Sequence, residues 1–189
     1  MAEGLASKNI ALIGMAGCGK SIIGKKLSYE LGFLFLDLDD AMEIENHKKL
    51  NQLIEEIGED EFINLEGKTL LNFLETSPRE TVIAPGGSII LSEQAITELK
   101  KKALTIFINT PLSIIRKRTL DRKTRGAVIG LKGKKLEDVY DFRLPLYEKY
   151  VDLKIDVVSL SEGQVVEKII NLLPDDLKIY LMEDKGADF

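Results

Sequence analysis

The stretch GMAGCGKS at residues 14–21 is the part of the sequence best suited to chemistry. It fits the pattern G-x-x-x-x-G-K-[S/T], the P-loop, in which glycines let backbone N–H groups surround phosphate oxygens. Lys20 is then expected to reach the β- and γ-phosphates of a nucleotide, and the Ser21 hydroxyl to ligate Mg²⁺. A glycine-rich turn without a ligand is the alternative. It is disfavoured because every fixed position of the motif is present.

The segments on either side of this loop are those that a phosphate site requires. Residues 9–13 are a short apolar run, which predicts a buried parallel strand. Residues 22–31 predict a helix with Ile23, Leu27, Tyr29 and Leu31 roughly on one face, and Gly32 is typical of its end. The start of such a helix carries a partial positive charge that favours bound phosphate.

Three aspartates follow the second predicted strand, residues 33–36. Carboxylates at the carboxyl end of a parallel strand lie where ligands bind in open α/β sheets. Asp37 and Asp39 are two residues apart, so in extended chain they point the same way. We interpret one as serving the metal and the other as binding a substrate hydroxyl. The alternative, an N-cap for the next helix, explains one aspartate well, and Asp40 is the favoured cap.

The remaining segments complete an alternating α/β pattern. Residues 41–76 predict helix with a break at Gly58, and residues 81–84 predict a third strand. Gly86 and Gly87 follow that strand and permit close backbone approach to a ligand, although a plain turn is equally compatible. Further strands are predicted at residues 104–108 and 153–158, each followed by a helix.

The densest basic run, RKRTLDRKTR at residues 116–125, precedes several glycines. A solvated basic face is the usual meaning of such a run. Arginines beside a glycine-bearing loop are also what a lid over phosphates requires, and we favour a lid at about residues 118–134. Arg143 falls among apolar and aromatic neighbours, which indicates that it points inward at an anion.

Bulk properties disfavour several classes of function. The chain has 189 residues and a net charge of −5, which disfavours binding to nucleic acid or to an anionic membrane. Cys18 is the only cysteine, so no intrachain disulfide can form and a reducing, cytoplasmic compartment is expected. We interpret Cys18 as a small residue tolerated in the loop rather than a redox switch. Neither a signal peptide nor a membrane-spanning run is apparent.

Taken together, these segments resemble the shikimate kinase family over about residues 8–172. Residues 14–21 match its P-loop, and LGFLFLDLD at residues 31–39 resembles its second-strand motif. GEDEFINLE at residues 58–66 follows the frame of its substrate helix. Gly86 and Gly87 match two of its three consecutive glycines. RLPLY at residues 143–147 matches the segment whose arginine holds the shikimate carboxylate.

The resemblance implies a single P-loop α/β/α sandwich with a five-stranded parallel sheet, a helical substrate-binding segment at about residues 39–76 and a lid. It also implies ATP- and Mg²⁺-dependent phosphorylation of a hydroxyl on a small metabolite by a monomer, with shikimate as the leading acceptor. The tail, residues 174–189, stays unassigned.

Residue roles follow from the same resemblance. The implied nucleotide-binding residues are Gly14, Gly17, Cys18, Gly19, Lys20, Ser21, Ile22, Arg118 and Arg125. The implied acceptor-binding residues are Asp39, Gly86, Gly87 and Arg143. Ser21 and Asp37 are the implied metal ligands, and Lys20, Asp39 and Arg125 the implied catalytic residues.

Three positions depart from the family pattern. Ile63 stands where the family has a second arginine for the carboxylate. We expect this isoleucine to make the local wall of the acceptor site apolar. Ser88 replaces the third glycine, and RGAV at residues 125–128 replaces Arg-Pro-Leu-Leu. A hydrogen bond to a charged group is worth roughly 1.5–3 kcal/mol, so shikimate binding should weaken about 10–100-fold.

These departures leave two alternatives open beside shikimate. One is a related kinase for a sugar acid or another polyol. The other is a non-catalytic nucleotide-binding homologue. Retention of Lys20, Ser21, Asp37 and Asp39 speaks against the second, because loss of catalysis usually removes at least one such residue.

Overall fold

Five parallel strands form the centre of the molecule in the order β2-β3-β1-β4-β5. The computed structural model describes residues 9–76, 80–120, 129–130 and 133–178. The strands are β1 Asn9–Ile13, β2 Leu34–Asp37, β3 Thr81–Ala84, β4 Ala103–Asn109 and β5 Leu153–Asp156. The predicted five-stranded parallel sheet is confirmed.

Helices occupy both faces of this sheet. They are α1 Lys20–Leu31, α2 Leu38–Asn46, α3 Leu50–Thr76, α4 Glu93–Lys102, α5 Leu112–Leu120, α6 Leu136–Tyr150, α7 Glu162–Leu172 and α8 Asp175–Lys178, with a 3₁₀ turn at Ile89–Leu91. The predicted break in the second helical segment is confirmed, since Gly58 lies inside α3 with φ 81° and ψ 167°. Gly58 thereby separates two parts of α3 that can present different faces.

Alternation along β1 divides the core into two layers. Ile10 and Leu12 pack with residues of α1 and α7, whereas Ala11 and Ile13 pack with residues of α2, α3, α4 and α6. This is the period-2 pattern of a strand covered on both faces. Because β1 lies between β3 and β4, the loop after β1 leaves the sheet where the strand order changes direction, which is the usual ligand position in such sheets.

The start of the unassigned tail packs against the sandwich. Leu177 of α8 is buried in the same layer as Val166 and Ile169 of α7. Lys178 donates from its ammonium group to the carbonyl of Asn171 at 3.1 Å. The described part of the tail therefore extends the α1–α7 layer.

One residue predicted on the apolar face of α1 does not lie there. Ile23, Leu27 and Leu31 are buried, whereas Tyr29 is 85% exposed. The prediction for Tyr29 is wrong because it lies about 200° around the helix from Leu27, outside the buried face.

Two predictions lie partly or wholly outside the described residues: Arg125, and most of the lid at residues 118–134. Within the described ranges, no helix has the length and apolar character needed to cross a membrane.

Candidate active site

The P-loop adopts a conformation that depends on its glycines. Gly14, Gly17 and Gly19 have φ values of 146°, 81° and 108°, which side chains rarely adopt. A Cβ on Gly14 would also lie 2.9 Å from the carbonyl oxygen of Ile108. Gly19 is the N-cap of α1 and supplies no side-chain cap. The first N–H groups of α1 consequently remain for an anion.

Lys20 lies against the loop that it is predicted to serve. Its ammonium group donates to the carbonyls of Gly14 at 2.9 Å and Met15 at 3.1 Å, and the residue is only 8% exposed. A phosphate oxygen would exchange with these carbonyls as the acceptor for the same protons. The structure therefore places Lys20 at the loop, and its contact with phosphate stays a prediction.

Arg118 reaches the P-loop from α5. Its Nη1 donates to the carbonyls of Gly17 at 3.1 Å and Cys18 at 3.2 Å. A cavity of about 70 Å³ adjoins this contact, and its wall includes Ile22 and Arg118. This arrangement agrees with the predicted nucleotide role of both residues.

Val157 and Leu160 also line the cavity beside Arg118, and sequence reasoning missed them. They follow β5, whose carboxyl end lies at the same edge of the sheet as the P-loop. Apolar residues just after the last strand were the signal that could have identified them.

Asp37 has one carboxylate oxygen engaged and one free. Its Oδ1 accepts the backbone N–H of Asp39 at 3.1 Å and of Asp40 at 3.5 Å. Asp37, not Asp40, is therefore the N-cap, and α2 begins at Leu38 rather than at residue 41. The other oxygen, Oδ2, is buried without a hydrogen-bond partner. An unpartnered buried carboxylate oxygen fits a magnesium ion or one of its water ligands.

A second cavity, of about 40 Å³, lies on the other side of the P-loop. It brings together all four residues that were predicted to bind the acceptor, namely Asp39, Gly86, Gly87 and Arg143. Its volume suits one or two water molecules, since a water occupies about 30 Å³ in the liquid.

The apolar wall of this cavity comes from residues other than Ile63. It is formed by Leu50, Ile54, Phe62 and Ile129. Ile63 is half-buried and packs against the core layer of α3 instead. The expectation that Ile63 makes the wall apolar is wrong for this conformation, because Gly58 and the helix phase turn Phe62 toward the cavity.

Arg143 is buried, with 1% of its surface exposed. Its Nη2 donates to the carbonyl of Ile129 at 2.8 Å and its Nη1 to that of Gly87 at 3.2 Å, while Nε has no partner. The prediction that Arg143 points inward is confirmed. A charged donor in a buried site that still lacks a partner is suited to an anionic group of a ligand.

Gly86 and Gly87 are sites of close approach within the protein. A Cβ on Gly87 would lie 2.7 Å from the backbone nitrogen of Ala16 in the P-loop. A Cβ on Gly86 would collide with Glu66 Oε1 and lie 2.9 Å from Asp39 Oδ1. Contacts with other parts of the protein thus require glycine at both positions, and they join the P-loop to the acceptor cavity. Close approach to a ligand stays a prediction.

Glu66 is a buried carboxyl that sequence reasoning missed. It is 0% exposed, and the Ser88 hydroxyl donates to its Oε2 at 2.6 Å, while Oε1 has no partner. Burial, and secondarily the charge of Asp39, raise the pKa of Glu66 from 4.5 to about 7. The available signal was a charge four residues from both Phe62 and Leu70, on the buried face of α3.

Unpartnered buried side-chain atoms concentrate at this end of the sheet. In the described part of the chain they are Asp37 Oδ2, Glu66 Oε1 and Arg143 Nε. Buried polar groups without partners are uncommon in folded proteins and tend to mark functional sites. The P-loop, the aspartates after β2 and the buried arginine thus form one candidate site with a nucleotide side and an acceptor side.

The comparisons with known proteins agree with this geometry. A family model described as shikimate kinase matches residues 16–174. The shikimate kinase of Thermodesulfovibrio yellowstonii is 32% identical over 165 residues, which are 86% of this chain and 93% of that protein. The structure of the Acinetobacter baumannii shikimate kinase in complex with shikimate superposes with a TM-score of 0.80 at 28% identity, covering 88% of this chain and 93% of that one.

Similarity of the same order extends to a protein with a different name. Human threonine synthase-like 1 is 29% identical over 171 residues, which are 89% of this chain but 23% of that protein. Sequence similarity at this level therefore does not by itself identify the acceptor.

Proposed function

The chain belongs to the shikimate kinase family, and we propose that it transfers the γ-phosphoryl group of ATP to a hydroxyl of shikimate. The family consists of phosphotransferases that act on a hydroxyl group and use ATP with Mg²⁺. The observation that carries the choice of acceptor is the cavity in which Asp39, Gly86, Gly87 and Arg143 meet beside the P-loop.

The nucleotide is proposed to bind along the P-loop and the start of α1. The loop glycines and the first N–H groups of α1 would receive the phosphates, and Lys20 would exchange its carbonyl partners for phosphate oxygens. Arg118 and Ile22 would contact the nucleotide at the cavity beside the loop. Arg125 is proposed to join them, as a charged donor from the lid.

Ser21 and Asp37 would hold the magnesium ion. The free Oδ2 of Asp37 supports this, and so does the usual way in which kinases bind Mg²⁺, through one or two protein oxygens, phosphate oxygens and waters. When bound, Mg²⁺ would offset negative charge on the phosphates.

On the acceptor side, each side chain has a separate task. Asp39 would orient the acceptor hydroxyl and accept its proton. Lys20 and Arg125 would stabilise negative charge as it develops on the transferred group. Arg143 would bind the acceptor carboxylate through Nε, the guanidinium nitrogen that has no hydrogen-bond partner.

A second acceptor is favoured by one observation. In the described structure, Arg143 is the only cationic side chain that lines the acceptor cavity. The family pattern supplies two arginines. A sugar acid also carries one carboxylate that Arg143 could bind, so it is the second candidate acceptor. The two candidates share the reaction and differ in the acceptor.

The test is an assay that couples ADP release to a spectroscopic signal. Shikimate, gluconate and other hydroxylated acids are offered in turn with MgATP, and the phosphorylated product is identified by mass spectrometry. Shikimate should give a kcat/KM well above that of the other acids. A higher value for another acid would replace shikimate as the acceptor, and no turnover of any acid together with intact MgATP binding would indicate a non-catalytic homologue.

The protein is further proposed to act as a monomer in the cytoplasm, without nucleic acid or membrane partners. The net charge of −5 argues against nucleic-acid and membrane partners, and the single cysteine is consistent with a reducing compartment. Sedimentation equilibrium at micromolar concentration should give the mass of one chain, 21.1 kDa.

A further inference from the structure

A buried carboxyl and a buried guanidinium lie in one site without bonding to each other. Glu66 and Arg143 are both buried, and each has a polar side-chain atom without a hydrogen-bond partner, Oε1 and Nε respectively. Neither of these atoms bonds to the other. A buried carboxyl and a buried guanidinium in the same site would ordinarily be expected to pair. Something must therefore hold them apart.

Consecutive residues of the loop after β3 hold the two side chains. The Ser88 hydroxyl donates to Glu66 Oε2 at 2.6 Å. The carbonyl of the preceding Gly87 accepts from Arg143 Nη1 at 3.2 Å. Ser88 is itself buried and lines the acceptor cavity. One short loop thus fixes the carboxyl on one side and the guanidinium on the other.

We propose that Ser88 is a positioning residue that sets acceptor affinity, by holding the Glu66 carboxyl away from Arg143 so that Arg143 Nε stays available for the anionic group of the acceptor. This inference rests on the proposed function, in which Arg143 binds the acceptor carboxylate. It also accounts for a serine at a position where the resemblance leads one to expect glycine, since glycine has no hydroxyl to donate.

The charges around Glu66 support the need for such a restraint. Asp39 faces it across Gly86, and the charges of Lys20 and Arg143 favour its ionised form. Its raised pKa, about 7, means that Glu66 gains negative charge within the neutral pH range. Without Ser88, the ionised carboxylate would turn toward the guanidinium, and this tendency would increase with pH.

Ile63 lies three residues before Glu66 on α3. Residues three apart on a helix share a face, so an arginine introduced in place of Ile63 could reach Glu66 on α3. Ile63 cannot donate a hydrogen bond, which leaves Ser88 as the one hydrogen-bond donor to this carboxyl in the described structure. The two departures, Ile63 and Ser88, are therefore expected to be energetically coupled.

The first experiment compares Ser88→Ala with Ser88→Ala/Glu66→Gln. In Ser88→Ala, the KM for shikimate should rise about tenfold, the effect of losing one hydrogen bond to a charged group, while kcat and the KM for MgATP change little. The rise should be larger at pH 8 than at pH 6. Adding Glu66→Gln should restore the KM, because a neutral amide does not pair with Arg143 as an ion.

Ser92→Ala is the matched control, a serine substitution four residues further along and outside the acceptor cavity. It should leave the shikimate KM at the wild-type value. An unchanged shikimate KM in Ser88→Ala would overturn the proposal, and so would a rise that Glu66→Gln does not reverse. A KM effect that is the same at pH 6 and pH 8 would also count against it.

The second experiment needs no substrate and separates this inference from the proposed function. Thermal unfolding is measured for the wild type, Ser88→Ala, Ile63→Arg and the double variant. Ser88→Ala should lower the melting temperature less in the Ile63→Arg background, because the introduced guanidinium supplies another donor to Glu66. Additive shifts would overturn the coupling. If the wild type shows no shikimate activity, the proposed acceptor fails, and this cycle still decides whether Ser88 supports Glu66.

Discussion

Tyr147 donates its hydroxyl to the carbonyl oxygen of Gly87 at 2.7 Å, and this bond ties α6 to the loop that lies against the P-loop. The tyrosine ring is fully buried and stacks on Phe107 of β4, with the ring centroids 5.1 Å apart. Burial raises the pKa of Tyr147, so the hydroxyl stays protonated and remains a donor across the working pH range. The position of the loop after β3 is thus fixed by a tyrosine that packs on the interior strand β4.

Tyr147→Phe tests the contribution of this hydrogen bond. It removes the hydroxyl but keeps the stacked ring, and the Gly87 carbonyl retains its bond from Arg143. We expect the free energy of unfolding to fall by about 1 kcal/mol, with a small rise in acceptor KM. Urea denaturation measures the free energy of unfolding. Tyr29→Phe is the control because Tyr29 is 85% exposed. Equal stability of Tyr147→Phe and wild type would show that the bond contributes little.

Lys20→Met should separate phosphate binding from loop structure. Methionine keeps an apolar stem but loses the ammonium group that bonds the Gly14 and Met15 carbonyls. We expect kcat/KM to fall by about 100-fold or more, as for the loss of one preorganised charged donor. Lys26→Met is the control, on the same helix but with a half-exposed side chain 4.0 Å from Glu162. Calorimetry that finds unchanged MgATP affinity, together with unchanged activity, would contradict the assignment.

Gly86→Ala should damage the acceptor side through a single methyl group. The added Cβ collides with Glu66 Oε1 and crowds Asp39 Oδ1, and both carboxyl groups must then shift. Overpacking of this kind usually costs about 1–3 kcal/mol of stability, and we expect acceptor turnover to fall while MgATP binding persists. The control is Gly163→Ala, where a Cβ meets nothing within 4 Å. A fully active Gly86→Ala enzyme would mean that the loop adjusts at no cost.

Glu66→Gln should change how stability depends on pH. The folded protein holds the Glu66 proton up to about pH 7, whereas the unfolded chain releases it near 4.5. Between these values the folded state binds more protons, so ionisation of Glu66 makes wild-type stability decline with rising pH by up to about 1.4 kcal/mol per unit. The decline in stability should stop above about pH 7. Glu66→Gln should not show this decline, because its side chain does not ionise. Parallel stability curves for the two proteins between pH 5 and 7 would argue against a buried, protonated carboxyl.

Local patterns in the sequence determined the nucleotide side of the site and the sheet. Residues 14–21 specify their own conformation, because the glycine positions and the following helix start are adjacent in the chain. The strands were likewise visible as apolar runs with turn residues between them, which sets the α/β class. Arg143 was identified for a similar local reason, as a charge among apolar and aromatic neighbours on α6.

The contacts among the acceptor-side residues were decided only by the tertiary structure. Ser88 and Glu66 are 22 positions apart, and no local pattern pairs them. Asp37 was expected to be a metal ligand alone, yet one of its oxygens also caps α2, which the sequence assigned to Asp40. Ile63 was expected to line the cavity, but the break at Gly58 and the phase of α3 give that place to Phe62.

The physical reason for this difference is the range of the interactions. The P-loop is encoded by residues adjacent in the chain, so its conformation can be inferred from spacing alone. The acceptor cavity is made where α3, α6 and the loop after β3 meet, and its hydrogen bonds depend on how those elements pack. The sequence by itself therefore determined a P-loop on a parallel sheet, and the packing of distant elements decided which charges line the proposed acceptor cavity.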